Sequence, residues 1–394
     1  MNPLRNVCIL LLTLPASFAV VHAEEIFIRA SQIGYRPQDV KIAVAFSSSG
    51  LPDFFSVVAT NSGAEAFLGK TRAVTGVKWG QFENHVELDF TALKAPGRYV
   101  LRVGESKSLP FTIGAGAYGE LPDELLEFMR EQRCGYNPWL GAACHQLDGR
   151  TAYGPLTYGT YLDVRGGWHD AADLLKYLLT SGNATAQMLL AVELGRLESE
   201  VRSPKSEVRS PRSKASSLSS DHFNALGKAF PNAVPDILDE ARWGLDWMLK
   251  LHPASDQLYH QVADDRDHIG RRLPQNEIAD YGWGKGGARV VYFADGQPQG
   301  LRQYKSASTG MANLAGRYAA AMALAYQIWK DDAKERPFAE RCLRAGKEVY
   351  ELGRAKEGVQ QGNSYSAPED STRGAWTVKR NNKRLRSSIP TTPH

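Results

Sequence analysis

The chain has 394 residues, 43% apolar and 23% charged, with a formal charge of +4. That composition is ordinary for a soluble protein of two domains or one large one, with enough apolar residues for a sizeable core. The small basic excess sits mostly in two atypical segments, so the charge gives no reason to expect a nucleic-acid partner.

Residues 1–23 read as a secretory signal peptide. Arg5 precedes the apolar run Val7 to Leu14, Pro15 breaks that run, and Val21-His22-Ala23 offers small residues for cleavage after Ala23. Cys8 lies too early for a lipoprotein cleavage site. No later run reaches the roughly twenty apolar residues that a membrane span needs. The expectation is a mature chain with no membrane partner, secreted or periplasmic.

Residues 24–115 alternate every two positions, as in Ile42, Val44 and Phe46, then Val86, Leu88 and Phe90, then Tyr99, Leu101 and Val103. Such alternation marks half-buried strands. Turn signals at Ser47-Ser48-Ser49-Gly50, Asn61-Ser62-Gly63 and Ala95-Pro96-Gly97 space them as in a small β-sandwich.

From residue 116 to 368 the period becomes helical, through Leu125 to Met129, Leu174 to Leu194, Ile237 to Leu249, and then 308–330 and 337–352. Pro231 and Pro235, followed by Asp236, mark one helix start. Trp243 and Trp247 on that helix read as core. The Gly- and Pro-rich stretch from Tyr259 to Gln303 reads as long loops.

Two segments do not fit a packed domain. Within 199–220, Ser199 to Lys205 is nearly repeated by Ser206 to Arg212, each unit with a proline and a single apolar residue, which predicts a disordered insertion. Residues 369–394 crowd Arg373, Lys379, Arg380, Lys383, Arg384 and Arg386 without apolar periodicity, the character of a disordered basic tail or a shifted reading frame.

The segment richest in chemistry is Gly166-Gly167-Trp168-His169-Asp170-Ala171-Ala172-Asp173. If a helix starts here, Asp170 and Asp173 share its first turn, where free amides and the dipole favour ionised carboxylates able to hold and deprotonate a water. Acidic residues also cap helices with no catalytic role. Trp168 adds an aromatic and His169 a metal donor. Cys134 and the Cys144-His145 pair complete, with His169, a Cys2His2 set suited to zinc. In an exported protein a Cys134–Cys144 disulfide explains the cysteines equally well. Cys342 stands alone as a buried thiol.

Trp168, Tyr281 and Trp283 are candidate sugar contacts, since aromatic rings suit the apolar faces of saccharides, though each also suits ordinary packing. Asp264-Asp265-Arg266-Asp267-His268 reads as a polar cleft wall or a solvated turn. Its acids leave calcium open as a second cofactor, with no site assigned.

Gly166 to Asp173 resembles the Asp-Ala-Gly-Asp motif of glycoside hydrolase family 9, the inverting cellulases. Ser31-Gln32-Ile33-Gly34-Tyr35 is similar to the opening of the immunoglobulin-like module attached to many of these enzymes, and Asn232 to Trp247 is similar to a family helix. The resemblance covers about Glu24 to Pro368 without the repeat. It implies a multidomain chain, with an immunoglobulin-like β-sandwich followed by an all-α (α/α)6 barrel.

By that resemblance the activity is endoglucanase hydrolysis of β-1,4 bonds in cellulose or related β-glucan poly- and oligosaccharides. Asp173 would be the base, Asp170 would help hold the water, and a distant glutamic acid would protonate the leaving oxygen across about 6.5–9.5 Å. Structural zinc at Cys134, Cys144, His145 and His169 is implied likewise. Ala172 replaces the motif's usual glycine. The helical pattern supplies about half of a barrel, and no glutamate stands in the acid's context. The expected barrel is therefore incomplete, with exposed apolar faces and doubtful activity. A catalytically dead saccharide-binding or structural remnant and an exo-acting β-glycosidase on amino sugars are the alternatives.

Overall fold

The β-period of residues 24–115 and the helical period of 116–368 correspond to two compact units, Met1–Leu121 and Pro122–His394. The computed structural model describes residues 25–76, 80–171, 174–202, 220–267, 272–298 and 306–362. The expected signal peptide, most of the repeat, the basic tail, and Ala172, Asp173 and His268 lie outside the described residues.

The first unit holds β1 (Phe27–Arg29), β2 (Ile42–Ser47), β3 (Phe54–Ala59), β4 (Glu65–Lys70), β5 (Arg72–Ala73), β6 (Asn84–Asp89), β7 (Gly97–Val103), β8 (Ser106–Lys107) and β9 (Phe111–Ile113). They form two sheets, β1-β2-β6-β5 and β4-β3-β7-β8, with β9 on β7. The described strand pairs are antiparallel. Leu88, Phe90, Leu101, Val103, Phe55 and Val57 form the core.

The expected phase holds for Val86–Phe90 and Tyr99–Val103 but inverts in β2. Ala43 and Ala45 face the core there, while Ile42 is 40% exposed. The reason is steric and aromatic. Phe46 instead stacks with Phe27 and packs on Phe82, leaving the small alanines at the inner positions.

The second unit contains α1 (Leu121–Glu131), α2 (Leu178–Arg202), α3 (Asp236–Lys250), α4 (Ala312–Trp329) and α5 (Arg336–Ala355). Helix α2 continues to Arg202, into the segment expected as insertion, and on the far side Asp123 holds Ser220 through its amide and hydroxyl at 3.0 and 2.8 Å. Helices α2 to α5 enclose a core of Leu189, Leu245, Met248, Tyr318, Met322 and Val349. Gly244 permits a close crossing, because a Cβ there would sit 2.2 Å from Thr185 Oγ1 and 2.4 Å from Trp168 Cη2. Cys342 is the expected buried free thiol, pushed up to about 12 by burial.

The stretch expected as loops contains two strands, one buried throughout and one buried except at Phe293. With β10 (Tyr136–Asn137) and β11 (Ala142–Ala143) forming a hairpin, β12 (Arg150–Thr151), β13 (Lys176–Tyr177), β14 (Tyr259–Val262) and β15 (Val290–Phe293) make a sheet ordered β12-β15-β14-β13. Glycine and proline in the intervening turns masked the short β-branched runs. Between α2 and α4 an apolar groove of about 570 Å³ is lined by Ala186, Leu190, Ala320 and Leu324, with Leu190 45% exposed.

Helix α3 buries acids as well as apolar residues. Asp239 is only 9% exposed, and burial raises its pKa from 3.8 to about 6 against the hydrogen bond donated by Asn232. A carboxyl whose folded pKa exceeds its unfolded value favours folding when protonated and costs stability as pH rises between the two values. Asp239→Asn keeps the acceptor for Asn232 and removes the titration. The variant should gain on the order of 1–3 kcal/mol over the wild type between pH 4 and 7 and hold that gain above. Chemical denaturation of both proteins at pH 5 and pH 8 checks this; a gain that shrinks with rising pH contradicts it.

Candidate functional site

Short backbone pairings assemble the site. The Cys134 amide donates to Gly167 O at 2.9 Å, the His169 amide to Gln132 O at 2.8 Å, and Arg133 bridges Trp168. This places Cys134 beside His169. The β10–β11 hairpin folds the next segment back, and the Cys144 amide reaches Gly135 O at 2.7 Å. Gly167 sits at φ +73° with Trp247 packed where a Cβ would be, 2.5 Å from the ring. Trp243 and Trp247 donate their indole N–H groups to Gly167 O and Val164 O at 2.9 and 3.0 Å, so the two expected core tryptophans also hold this loop.

Donor atoms of Cys134, Cys144, His145 and His169 lie within 4.8 Å of one another. Both cysteines are free and buried. His145 Nδ1 and His169 Nε2 are 3.2 Å apart, and His145 Nε2 faces Glu277 at 3.5 Å. His145 adopts φ +50°, a left-handed conformation costly for a non-glycine residue, in which the ring closes on the other donors. Burial opposes ionisation of Cys134, but the Cys144 hydrogen bond and the nearby Lys176 charge bring it well below the usual thiol range. Burial lowers His169, favouring the neutral ring.

Around the donors is a set of buried ion pairs that the sequence did not reveal. Arg289 donates to both oxygens of Asp148 at 2.7 and 2.8 Å, and Lys176 reaches Asp148 at 2.8 Å. Lys176 also donates to Val164 O and Gly166 O. Burial alone would raise Asp148; Arg289 and Lys176 outweigh it and hold the carboxylate low. Arg272 bridges Asp267 and Glu277. The Asp264–His268 segment is thus no solvated turn where it is described. Asp264 and Asp267 are fully buried and paired with Arg266, Arg272 and Arg289. The arginines were visible in the sequence, but nothing in their spacing linked them to these acids.

Asp170 is exposed and does not begin a helix; α2 starts at Leu178, after β13. It sits on a turn instead, its amide donating to Leu175 O at 2.7 Å and its carboxylate accepting from Thr180 Oγ1 at 2.8 Å. Leu174 closes the turn at φ +62°, its carbonyl held by Arg289 at 2.7 Å.

Two expected sugar contacts are corrected. Trp168 is 3% exposed and donates to Glu240 Oε1 at 2.7 Å, the carboxylate that also pairs with Arg133. Tyr281 is 2% exposed, accepts the Asp264 amide and donates to Asp267. Both packed and bonded rings are structural. Trp283 is partly exposed and stacks on Tyr158, which is 66% exposed, with centroids 5.7 Å apart. Tyr158 was missed because it lies far from Trp283 in sequence, within a polar turn.

Residues 118–381 match the model of glycosyl hydrolase family 9, and residues 23–108 that of the cellulase N-terminal ig-like domain. The chain is 29% identical to the xyloglucan-specific endo-beta-1,4-glucanase of Bacteroides ovatus over 60% of this chain and 38% of that protein. It is 25% identical to the cellulose 1,4-beta-cellobiosidase of Acetivibrio thermocellus over 80% of this chain and 35% of that protein. The chain therefore spans well under half the length of these relatives. A solved metagenome-derived glycoside hydrolase family 9 endoglucanase superposes with a TM-score of 0.58 at 25% identity, covering 93% of this chain and 65% of that one. With an N-terminal immunoglobulin-like domain and a second unit matched over most of its length, the chain belongs to glycosyl hydrolase family 9.

Proposed function

We propose that this chain is an exported inverting glycoside hydrolase acting on β-1,4-glucan, with Asp173 as base and Asp170 holding the attacking water. The observation that carries the reading is the exposed Asp170 carboxylate, on a turn anchored by Leu175, Thr180 and Arg289. The Thr180 hydroxyl donates to one oxygen of that carboxylate and the Asp170 amide anchors its backbone, while the side chain stays open to water. Water adds to the anomeric carbon as the glycosidic C–O bond breaks. Its proton passes to the base, and the leaving oxygen takes a proton from an acid about 6.5–9.5 Å from that base. Trp283 with Tyr158 offers an exposed aromatic face for a sugar ring. The helices of the second unit belong, in this reading, to an (α/α)6 barrel. Export is supported by the leader-like residues 1–23, and no described helix is long and apolar enough to cross a membrane.

The Cys134, Cys144, His145 and His169 set fits zinc. Two thiolates and two imidazoles are its preferred structural ligands, and two thiolates neutralise a dication. The surrounding Asp148 and Glu277 carboxylates are already paired with Lys176, Arg289 and Arg272 and so are not free to compete as ligands. Bound zinc would be structural, tying the 134–145 loop to the residue preceding Asp170. Glu277, facing His145 Nε2, would orient that ligand.

On soluble cellulose derivatives, Asp173→Asn should lower kcat by ~10²–10⁴ with folding unchanged. An intact wild-type chain without turnover shifts the reading to a saccharide-binding remnant, and turnover confined to aryl amino-sugar glycosides shifts it to the exo-acting alternative. Metal analysis should find about one zinc per chain, and Cys144→Ser should lose it together with thermal stability. A Cys134–Cys144 disulfide in metal-free protein defeats the zinc assignment.

A further inference from the structure

Helix α1 and the loops around Tyr136–Trp139 and Phe223–Ala229 enclose a cavity of about 250 Å³. None of its lining residues lies within 166–171. Trp139 stands at its edge, 62% exposed, with no ring or cation contact among the described residues. The other two rings are already covered on one face: Lys228 Nζ lies 5.5 Å from the Tyr136 centroid, and Arg130 lies 3.6 Å from that of Phe223.

Arg130 supplies the second observation. It lines the cavity at 4% exposure, yet its Nε–H is buried without an acceptor among the described residues. Its other nitrogens are engaged, with Glu127 at 3.1 Å and Asp236 at 3.8 Å. A buried guanidinium N–H left unpaired is costly, so a ligand that brings an acceptor oxygen is favoured. Glu127, Glu131, Arg130 and Lys228 all line this cavity, with Glu127 paired to Arg130. The balance of two acids and two bases suits a neutral ligand better than a sugar acid or a phosphate.

We propose that this cavity is a second saccharide-binding site, taking a short neutral glucan segment with Trp139 as stacking platform and Arg130, Glu127 and Glu131 bonding its hydroxyls. Aromatic rings for the apolar sugar face, with donors and acceptors together at the edge, are the chemistry a neutral polyol requires. The choice of glucan rests on the function proposed above; the preference for a neutral polyol rests on the cavity alone.

The test is hydroxyl-radical footprinting of the full chain carrying Asp173→Asn, with cellotetraose as probe, so that turnover plays no part in the readout. Trp139 should be protected, and Trp139→Ala in the otherwise wild-type chain should leave hydrolysis of soluble cellulose derivatives unchanged. In calorimetry on the Asp173→Asn chain, adding Trp139→Ala should weaken one class of cellotetraose binding ~tenfold or more. Equal oxidation of Trp139 at saturating cellotetraose overturns the proposal, whether or not the wild-type chain is active. Unaltered binding by a folded Trp139→Ala chain overturns it too.

Discussion

Arg289 is the cation on which the second unit's architecture turns. Buried to 1% exposure, it binds Asp148 through two parallel hydrogen bonds, reaches Asp267, and holds the Leu174 carbonyl. One side chain thus ties the residue before β15 to the loop after the β10–β11 hairpin, to the Asp264–Asp267 segment, and to Leu174. A charge so deeply buried survives only if nearly every donor is satisfied, because desolvation of each ion costs several kcal/mol. Removing a partner would strand the others, so the geometry is specified with little latitude.

The same logic explains why the four soft donors can meet. Lys176 neutralises Asp148 from the other side and donates to the carbonyls of Val164 and Gly166, which fixes the glycine turn leading to His169. Arg133 and Glu240 do the equivalent work behind Trp168. The Cys2His2 cluster is therefore held by ion pairs and indole hydrogen bonds before any metal is considered. Its convergence reflects protein packing as well as donor chemistry.

The division into a β unit and a helical unit was legible because it rests on periodicity, a local property, as was the start of α3 at Pro235-Asp236. The phase of β2 was not, since its alternating residues are apolar on both faces and only the Phe27–Phe46–Phe82 contact selects one. β14 and β15 were hidden by the glycine-rich turns between them. Trp168 and Tyr281 were misread as sugar contacts for one shared reason. Sequence shows an aromatic beside a polar residue, but not that a glutamate 72 residues away accepts the Trp168 indole proton or that Asp267 receives the Tyr281 hydroxyl. The Cys2His2 set was legible because its chemistry is rare, whereas its ion-paired surroundings are built from common residues at unremarkable spacings.

A general acid must be protonated at working pH and open to the leaving oxygen, and these demands pull against each other in this unit. Burial raises Asp239 to about 6 and Asp267 to about 7, the range an acid needs. The burial that raises them also closes them off. Asp267 is boxed in by Tyr281, Arg272 and Arg289, and Asp239 faces Asn232 on a helix lined by the core. Both carboxyls are buried among the described residues. Among the described residues, Asp170 differs from both: its carboxylate is exposed, accepts a hydrogen bond from Thr180 and directly follows His169 of the donor cluster. An acid on the opposite side of the sugar would need a different environment, apolar enough to raise its pKa and open toward the bond it cleaves.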